Sequence, residues 1–209
     1  METIKNDRLS VVISPHGAEL QSIKDSRGHE FLWQGDPKYW GRRSPILFPI
    51  VGSLWNGTAH FGGKDCQMGR HGFARDMDFK LVAKGGEQAV FALHDNEETL
   101  KKYPFHFNLA VSYKLKGNTI AVTWHVENTD DKPIAFQIGG HPAFNIPDLN
   151  GGEPIHGRLQ LDVADPIRRF IDDASGCLDG TRHAEVEARD GLLPFTEDTF
   201  KDDALIFDH

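Results

Sequence analysis

Cysteine is scarce in this sequence. Two occur in 209 residues, Cys66 and Cys177. They stand far apart and form no Cys-x-x-Cys spacing, which argues against a disulfide scaffold and against an ordinary structural zinc site. Reduced thiols in a cytoplasmic protein are the expectation. Long apolar runs are missing too: none approaches the roughly 20 residues of a membrane helix, and the opening METIKNDRLS has no signal-peptide character. No membrane partner is expected. Basic charge is also in short supply. The net charge is −8; residues 142–209 hold 15 acidic and 6 basic side chains, the first 141 residues 16 and 17. Nucleic acid, whose phosphates select basic surfaces, is therefore not an expected partner, and the acidic balance reads as a device of solubility. The chain has no P-loop, no G-x-G-x-x-G after a strand and no G-x-S-x-G.

Helical periodicity is thin as well. DNEETLKKY (95–103) predicts one short helix, capped by Asp95 or Asn96; GAELQSIKD (17–25) is ambiguous. What the chain does have is short runs rich in Val, Ile, Phe and Thr, several alternating with a period of two. TIAVTWHVEN (119–128) is the clearest: Ile120, Val122, Trp124 and Val126 share one face, expected to be packed, and the polar residues share the other. KGN (116–118) and NTDDKP (128–133) read as turns around it, leading to a third strand over 134–140. The 21 glycines and 11 prolines fall mostly between such runs, as in an all-β sandwich or barrel. Residues 172–191 read as a polar surface excursion. No linker stands out, so a single domain over 1–209 is expected.

Three segments break the strand rhythm. GRRSPILFPIVGSLWNG (41–57) is apolar but holds Pro45 and Pro49, which cannot donate ladder hydrogen bonds; such a rigid segment can aim Arg43 at an oxygen-rich ligand, or its arginine pair is simply solvated. GRHGFARD (69–76) sets His71 beside a glycine, which lets a ligand approach the backbone, unless His71 is an idle loop residue. The third is IGGHPAFN (138–145): if 134–141 is extended, Gln137, Gly139 and His141 point to one face and Phe136 and Ile138 to the core. The glycine then leaves room for a flat or ring-shaped ligand between an amide and an imidazole, and Asn145 can cap the exit turn; a β-bulge with a structural histidine is the alternative. Two histidines without H-x-H or H-x-x-x-H spacing do not suggest a metal.

In their order, RRSPILFPIVG, GRHGFAR and IGGHPAFN resemble the aldose 1-epimerase (galactose mutarotase-like) family, in particular its LacX-type branch. EFLWQGDPKYWGRRSPILFP fits the same branch, and the resemblance covers nearly the whole chain. It implies an antiparallel β-supersandwich with a shallow cleft for a small-molecule sugar, and interconversion of α and β anomers of a hexose or hexose phosphate without a cofactor. In this resemblance His141 matches the general acid that protonates the ring oxygen, His71 the assisting, sugar-binding histidine, and Arg43 a sugar-binding arginine; Gln137 is a further sugar contact and Asp203 the match for a late aspartate. The residue types suit the task, since an imidazole titrates near pH 6.5 and can give and take protons at neutral pH.

One departure follows from the same comparison. The family's general base is a glutamate on a C-terminal strand, and neither Glu185, Glu187 nor Glu197 stands at a matching position. The expectation is a sandwich incomplete at its C-terminus, with an open sheet edge available to a second copy of the chain. Two other readings stand beside the isomerase: a carbohydrate-binding or regulatory module that lacks the glutamate base, and an interaction protein that pairs through the open edge.

Overall fold

Alternation at the N-terminus sets the first sheet. In Leu9–Ile13 the side chains of Leu9, Val11 and Ile13 are buried while Ser10 and Val12 between them are half-exposed, the period that an extended chain imposes. The structure is a computed structural model and describes residues 1–61, 63–146, 152–162, 166–172, 178–186, 188–201 and 204–207. In it β1 (Glu2–Lys5), β2 (Leu9–Ile13) and β3 (Leu20–Asp25) form an antiparallel sheet in that order. The ambiguous stretch at 17–25 thus resolves as a strand. Leu20 and Ile23 are buried, and tertiary packing overrides its weak local preference.

The chain continues through β4 (Ile46–Leu47) and a hairpin of β5 (Thr58–Phe61) with β6 (Lys64–Gln67). It then builds a four-stranded antiparallel meander from β7 (Lys80–Lys84), β8 (Gln88–His94), β9 (Phe107–Lys116) and β10 (Thr119–Asn128). Lys116 pairs with Thr119, so β9 and β10 are joined by a two-residue turn whose Gly117 has φ +58°, the conformation a tight hairpin asks of glycine. The one predicted helix is α1 (Glu97–Lys102). Asn96 is its cap: its Oδ1 accepts from the N–H groups of Glu98 and Thr99, and Thr99 Oγ1 accepts from Asn96 N–H, a reciprocal box that satisfies free amides of the first turn. β11 (Gly139–Gly140) returns to pair with β4.

These strands belong to one compact unit, Met1–Asn145; a second covers Ile146–His209. The core of the first is aromatic. Phe48, Phe91, Phe107, Tyr103 and Tyr113 are essentially inaccessible, and the Phe48 ring meets those of Phe73, Tyr103, Phe107 and Phe136 at 5.0–6.4 Å between centroids. Each fully buried ring of this size contributes about 1.5–3 kcal/mol. Among its described residues the second unit holds two small antiparallel pairs, β12 (Gly157–Gln160) with β15 (Leu192–Phe195) and β13 (Arg168–Asp172) with β14 (Leu178–Glu185). Part of the stretch expected as a polar excursion is therefore a strand. Phe170 packs across the pair against His183, rings 4.6 Å apart, a contact that composition does not reveal.

β10 differs from expectation on its apolar face. Val122 and Trp124 remain 40% and 38% exposed, and only Ile120 and Val126 of the four lie against the core. Gly140 approaches the Trp124 indole from β11 but leaves it only partly covered. The face lines a hollow of about 1050 Å³ together with Leu20, Ile23, Phe31 and Tyr113.

Candidate functional site

Residues 43–52 organise the site, because both histidine segments are hydrogen-bonded to them. Ala143 N–H donates to Arg43 O (2.8 Å), His141 N–H to Pro45 O (3.0 Å) and Gln137 N–H to Pro49 O (2.9 Å), while Gly139 and Gly140 pair with Leu47 and Ile46. These contacts share one antiparallel register. A strand was expected over 134–140, but only Gly139–Gly140 is regular. The two prolines explain the difference. Lacking an N–H, Pro45 and Pro49 cannot return the bonds they accept, and the ladder is one-way at those rungs. Past the site the segment pairs with a second partner, residues 30–33: Trp33 N–H donates to Ala143 O (2.9 Å), and the Asn145 side-chain amide donates to the carbonyls of Glu30 and Leu32 at 3.1 and 3.0 Å. Asn145 thus ties its segment to the EFLW stretch instead of capping its own turn.

The glycines before His141 do not leave an empty space. A Cβ on Gly139 would stand 3.3 Å from a Val51 methyl, and one on Gly140 3.1 Å from the Trp124 indole. Neighbouring side chains thus crowd both glycines. Phe136 is 41% exposed although its ring touches Phe48, and Ile138 lies half-buried against the core.

His71 reaches the same place from the turn after β6. Its backbone is left-handed, φ +70°, as is that of Gly72. A side chain on Gly72 would collide with Phe48 O at 2.2 Å, and the N–H groups of Phe73 and Ala74 both donate to that oxygen, at 3.0 and 3.2 Å. The turn therefore sits flush on the 43–52 segment. His71 N–H donates to Gly52 O (2.8 Å), and Gly52 N–H donates to His71 Nδ1 (3.0 Å). The result brings His71 and His141 together: their rings lie 5.6 Å apart between centroids at 81°. The Trp40 indole lies 4.9 Å from the His141 ring, inclined by 33°. His141 is exposed and His71 half-buried. Burial holds the His71 imidazolium form down, to a pKa of about 4, assisted by the nearby charges of Arg75, His141 and Arg70.

The polar groups of Arg43 and Gln137 are partly committed to other partners. Arg43 Nη1 donates to Gln21 Oε1 (2.6 Å) and Nη2 to Gln34 O (2.8 Å), while its buried Nε has no hydrogen-bond partner among the described residues. The N–H groups of Arg43 and Ser44 both donate to Glu19 Oε1 at 2.8 Å, so the carboxylate of Glu19 anchors the turn that carries the arginine. Gln137 Oε1 accepts from Val51 N–H (3.0 Å). Asp203 lies outside the described residues, as do Asp202 and Glu187. Three contributors were not singled out in the sequence: Trp40, Gly52 and Glu19. Trp40 had a signal, being an aromatic just ahead of the arginine pair. Gly52 acts through its backbone amide, which leaves no mark in a sequence, and Glu19 lay in the ambiguous stretch.

An exposed imidazole, a pinned imidazole and an indole wall make a place where a polar ring can be held and a proton exchanged. Among the described residues no carboxylate bonds to either histidine ring, and no group of three or more His, Cys, Asp or Glu is placed to hold a metal. The aldose 1-epimerase family model matches residues 2–189. The chain belongs to the aldose 1-epimerase family. Its fold is the all-β galactose mutarotase-like one. The galactose mutarotase related enzyme of Lactobacillus acidophilus superposes with a TM-score of 0.91 at 40% identity, over 100% of this chain and 69% of that one. A galactose mutarotase-like protein of Lactobacillus casei gives 0.90 at 35% identity, over 97% and 70%. The chromosomal LacX protein of Lactococcus lactis is 40% identical over 154 residues, 71% of this chain and 52% of LacX. This aldose 1-epimerase relative thus spans about half the length of the curated protein it matches.

Proposed function

We propose that the protein is a mutarotase, interconverting the α and β anomers of a hexose or hexose phosphate. The observation that carries this reading is the meeting of His71 and His141, 5.6 Å apart, from two segments 70 residues apart in the chain. Ring opening breaks the bond from C1 to the ring oxygen while the C1 hydroxyl passes its proton to solvent water and becomes a carbonyl; on closure the new C1 hydroxyl takes its proton back from water. The ring oxygen needs a proton in the same step. His141, exposed beside Trp40, is the group that supplies it and recovers it on closure. His71 holds a sugar oxygen. Gln137 offers the amide N–H2 left over by its bond to Val51, Arg43 is a sugar contact once its guanidinium exchanges a partner, and Asp203 remains the proposed contact to sugar hydroxyls. No covalent intermediate is required.

A second reading is a sugar-binding module without turnover. It is favoured by one observation, that no carboxylate bonds to either ring among the described residues. Polarimetry on freshly dissolved α-D-galactose, α-D-glucose and their 6-phosphates separates the two. The mutarotase reading expects rotation to relax faster than in buffer, and on the order of a hundredfold or more of that acceleration to vanish in His141→Ala. Saturable binding of one of these sugars with relaxation at the buffer rate would replace it with the module.

A further inference from the structure

A single hydrogen bond at the histidine pair fixes where a proton sits. Gly52 N–H faces His71 Nδ1 at 3.0 Å, and His71 N–H returns a bond to Gly52 O at 2.8 Å. A backbone amide can only donate. The nitrogen it meets must present a lone pair, and in a neutral imidazole the hydrogen then resides on the other nitrogen. The backbone is built around this exchange. Gly52, His71 and Gly72 are all left-handed, with φ of +79°, +70° and +70°, and Gly72 is pressed against Phe48 O so closely that no side chain fits. Several independent constraints thus hold one ring in one orientation.

We infer that Gly52 N–H locks His71 as the Nε2–H tautomer, so that His71 meets the ligand as a fixed, neutral hydrogen-bond donor and carries no proton through the reaction. The inference rests on the sugar-cleft reading and names the nitrogen, and the positioning residue behind it, that the reading leaves open. Protonating His71 would place a hydrogen on Nδ1, directly opposing the Gly52 N–H. The charged and titratable groups that bear on the ring are Arg75, Arg70 and His141, and each opposes a further positive charge there. The half-burial of the ring acts in the same direction. His141 differs in kind: among the described residues its ring neighbours are Trp40 and His71, and no backbone amide bonds to its ring nitrogens. The two histidines therefore divide the work. One moves a proton, and the other donates a hydrogen bond that never competes for it. Gly52 touches no ligand and acts only through the orientation and tautomer of His71.

The test is a long-range ¹H–¹⁵N correlation spectrum of the ¹⁵N-histidine-labelled chain between pH 5.5 and 8, with His71 assigned by its loss in His71→Gln. The expected result is the Nε2–H pattern for His71 throughout, without titration. An Nδ1–H pattern, or an imidazolium in this range, overturns the lock. Titration with D-galactose then tests the donor. Glutamine places its amide nitrogen where Nε2 stands, whereas asparagine ends near Nδ1, where its Oδ1 can accept from Gly52 N–H but its nitrogen does not reach the ligand. His71→Gln is expected to keep the apparent Kd within about threefold of wild type and His71→Asn to weaken it about tenfold, the size of one neutral hydrogen bond. Asparagine binding as tightly as histidine overturns the donor role even if the tautomer is as stated. If the wild-type chain binds neither galactose, glucose nor their 6-phosphates, the cleft reading fails and the donor role with it, while the spectrum still decides the lock by itself.

Discussion

His71 combines a left-handed backbone with a ring that burial keeps neutral, and both have thermodynamic consequences. Its folded-state pKa of about 4 lies below the 6.5 of a free imidazole, so as pH falls the unfolded chain takes up this proton first. The group's contribution to stability is therefore complete above about pH 6.5, is lost progressively toward pH 4, and changes no further below that. Because solvent reaches much of the ring, the slope falls short of the ~1.4 kcal/mol per pH unit of a fully shielded group. Urea midpoints of the wild-type chain and His71→Gln, measured from pH 7 to 4.5, are expected to draw together, with wild type losing more. Parallel curves would mean that the fold does not sense the charge on this ring. Both histidines were legible in the sequence, since each stands beside glycine in a segment that interrupts the strand rhythm. Their proximity was not legible from spacing, and neither was the Gly52 amide, because backbone donors carry no residue signature. The resemblance supplied the pairing before the geometry did.

Single elements show more clearly what a sequence encodes. The cap of α1 was readable because Asn96 and Thr99 are local partners. The strand over 134–140 was misjudged because its regularity depends on its neighbour, where Pro45 and Pro49 withhold two donors. The same dependence makes Gly72 a sensitive position. Alanine there meets both an unfavourable φ and a carbonyl 2.2 Å from its Cβ, and backbone carbonyls do not yield as side-chain ends do. Gly72→Ala is expected to cost at least about 3 kcal/mol. Gly85→Ala, where a Cβ meets open space, is expected to change stability by less than about 0.5 kcal/mol. Chemical denaturation of the two variants makes the comparison, and equal effects would show that the turn can leave its seat on Phe48.

Across the whole chain, the all-β class and most strands could be read from period-two alternation, as in Leu9–Ile13 and Phe107–Lys116. Burial could not be read in the same way. TIAVTWHVEN alternates faithfully, yet Val122 and Trp124 stay exposed because alternation marks the face that could be covered, not whether a described element covers it. Apolar patches of more than a few hundred Å² are unusual on a solvated surface. The hollow lined by Val122, Trp124 and Phe31 is therefore expected to take up an anilinonaphthalene dye, with emission falling by about half or more in Val122→Lys as the patch becomes charged. Unchanged dye emission in that variant would locate the binding elsewhere.

The indole stacked near His141 gives the site one more property. Trp40 lies 4.9 Å from that imidazole, and an excited indole loses emission to an adjacent imidazolium, which draws charge from it. The fluorescence of this ring is thus coupled to the proton its neighbour holds. The histidine pair has its own optical indicator, beside the group that the proposed chemistry protonates and deprotonates.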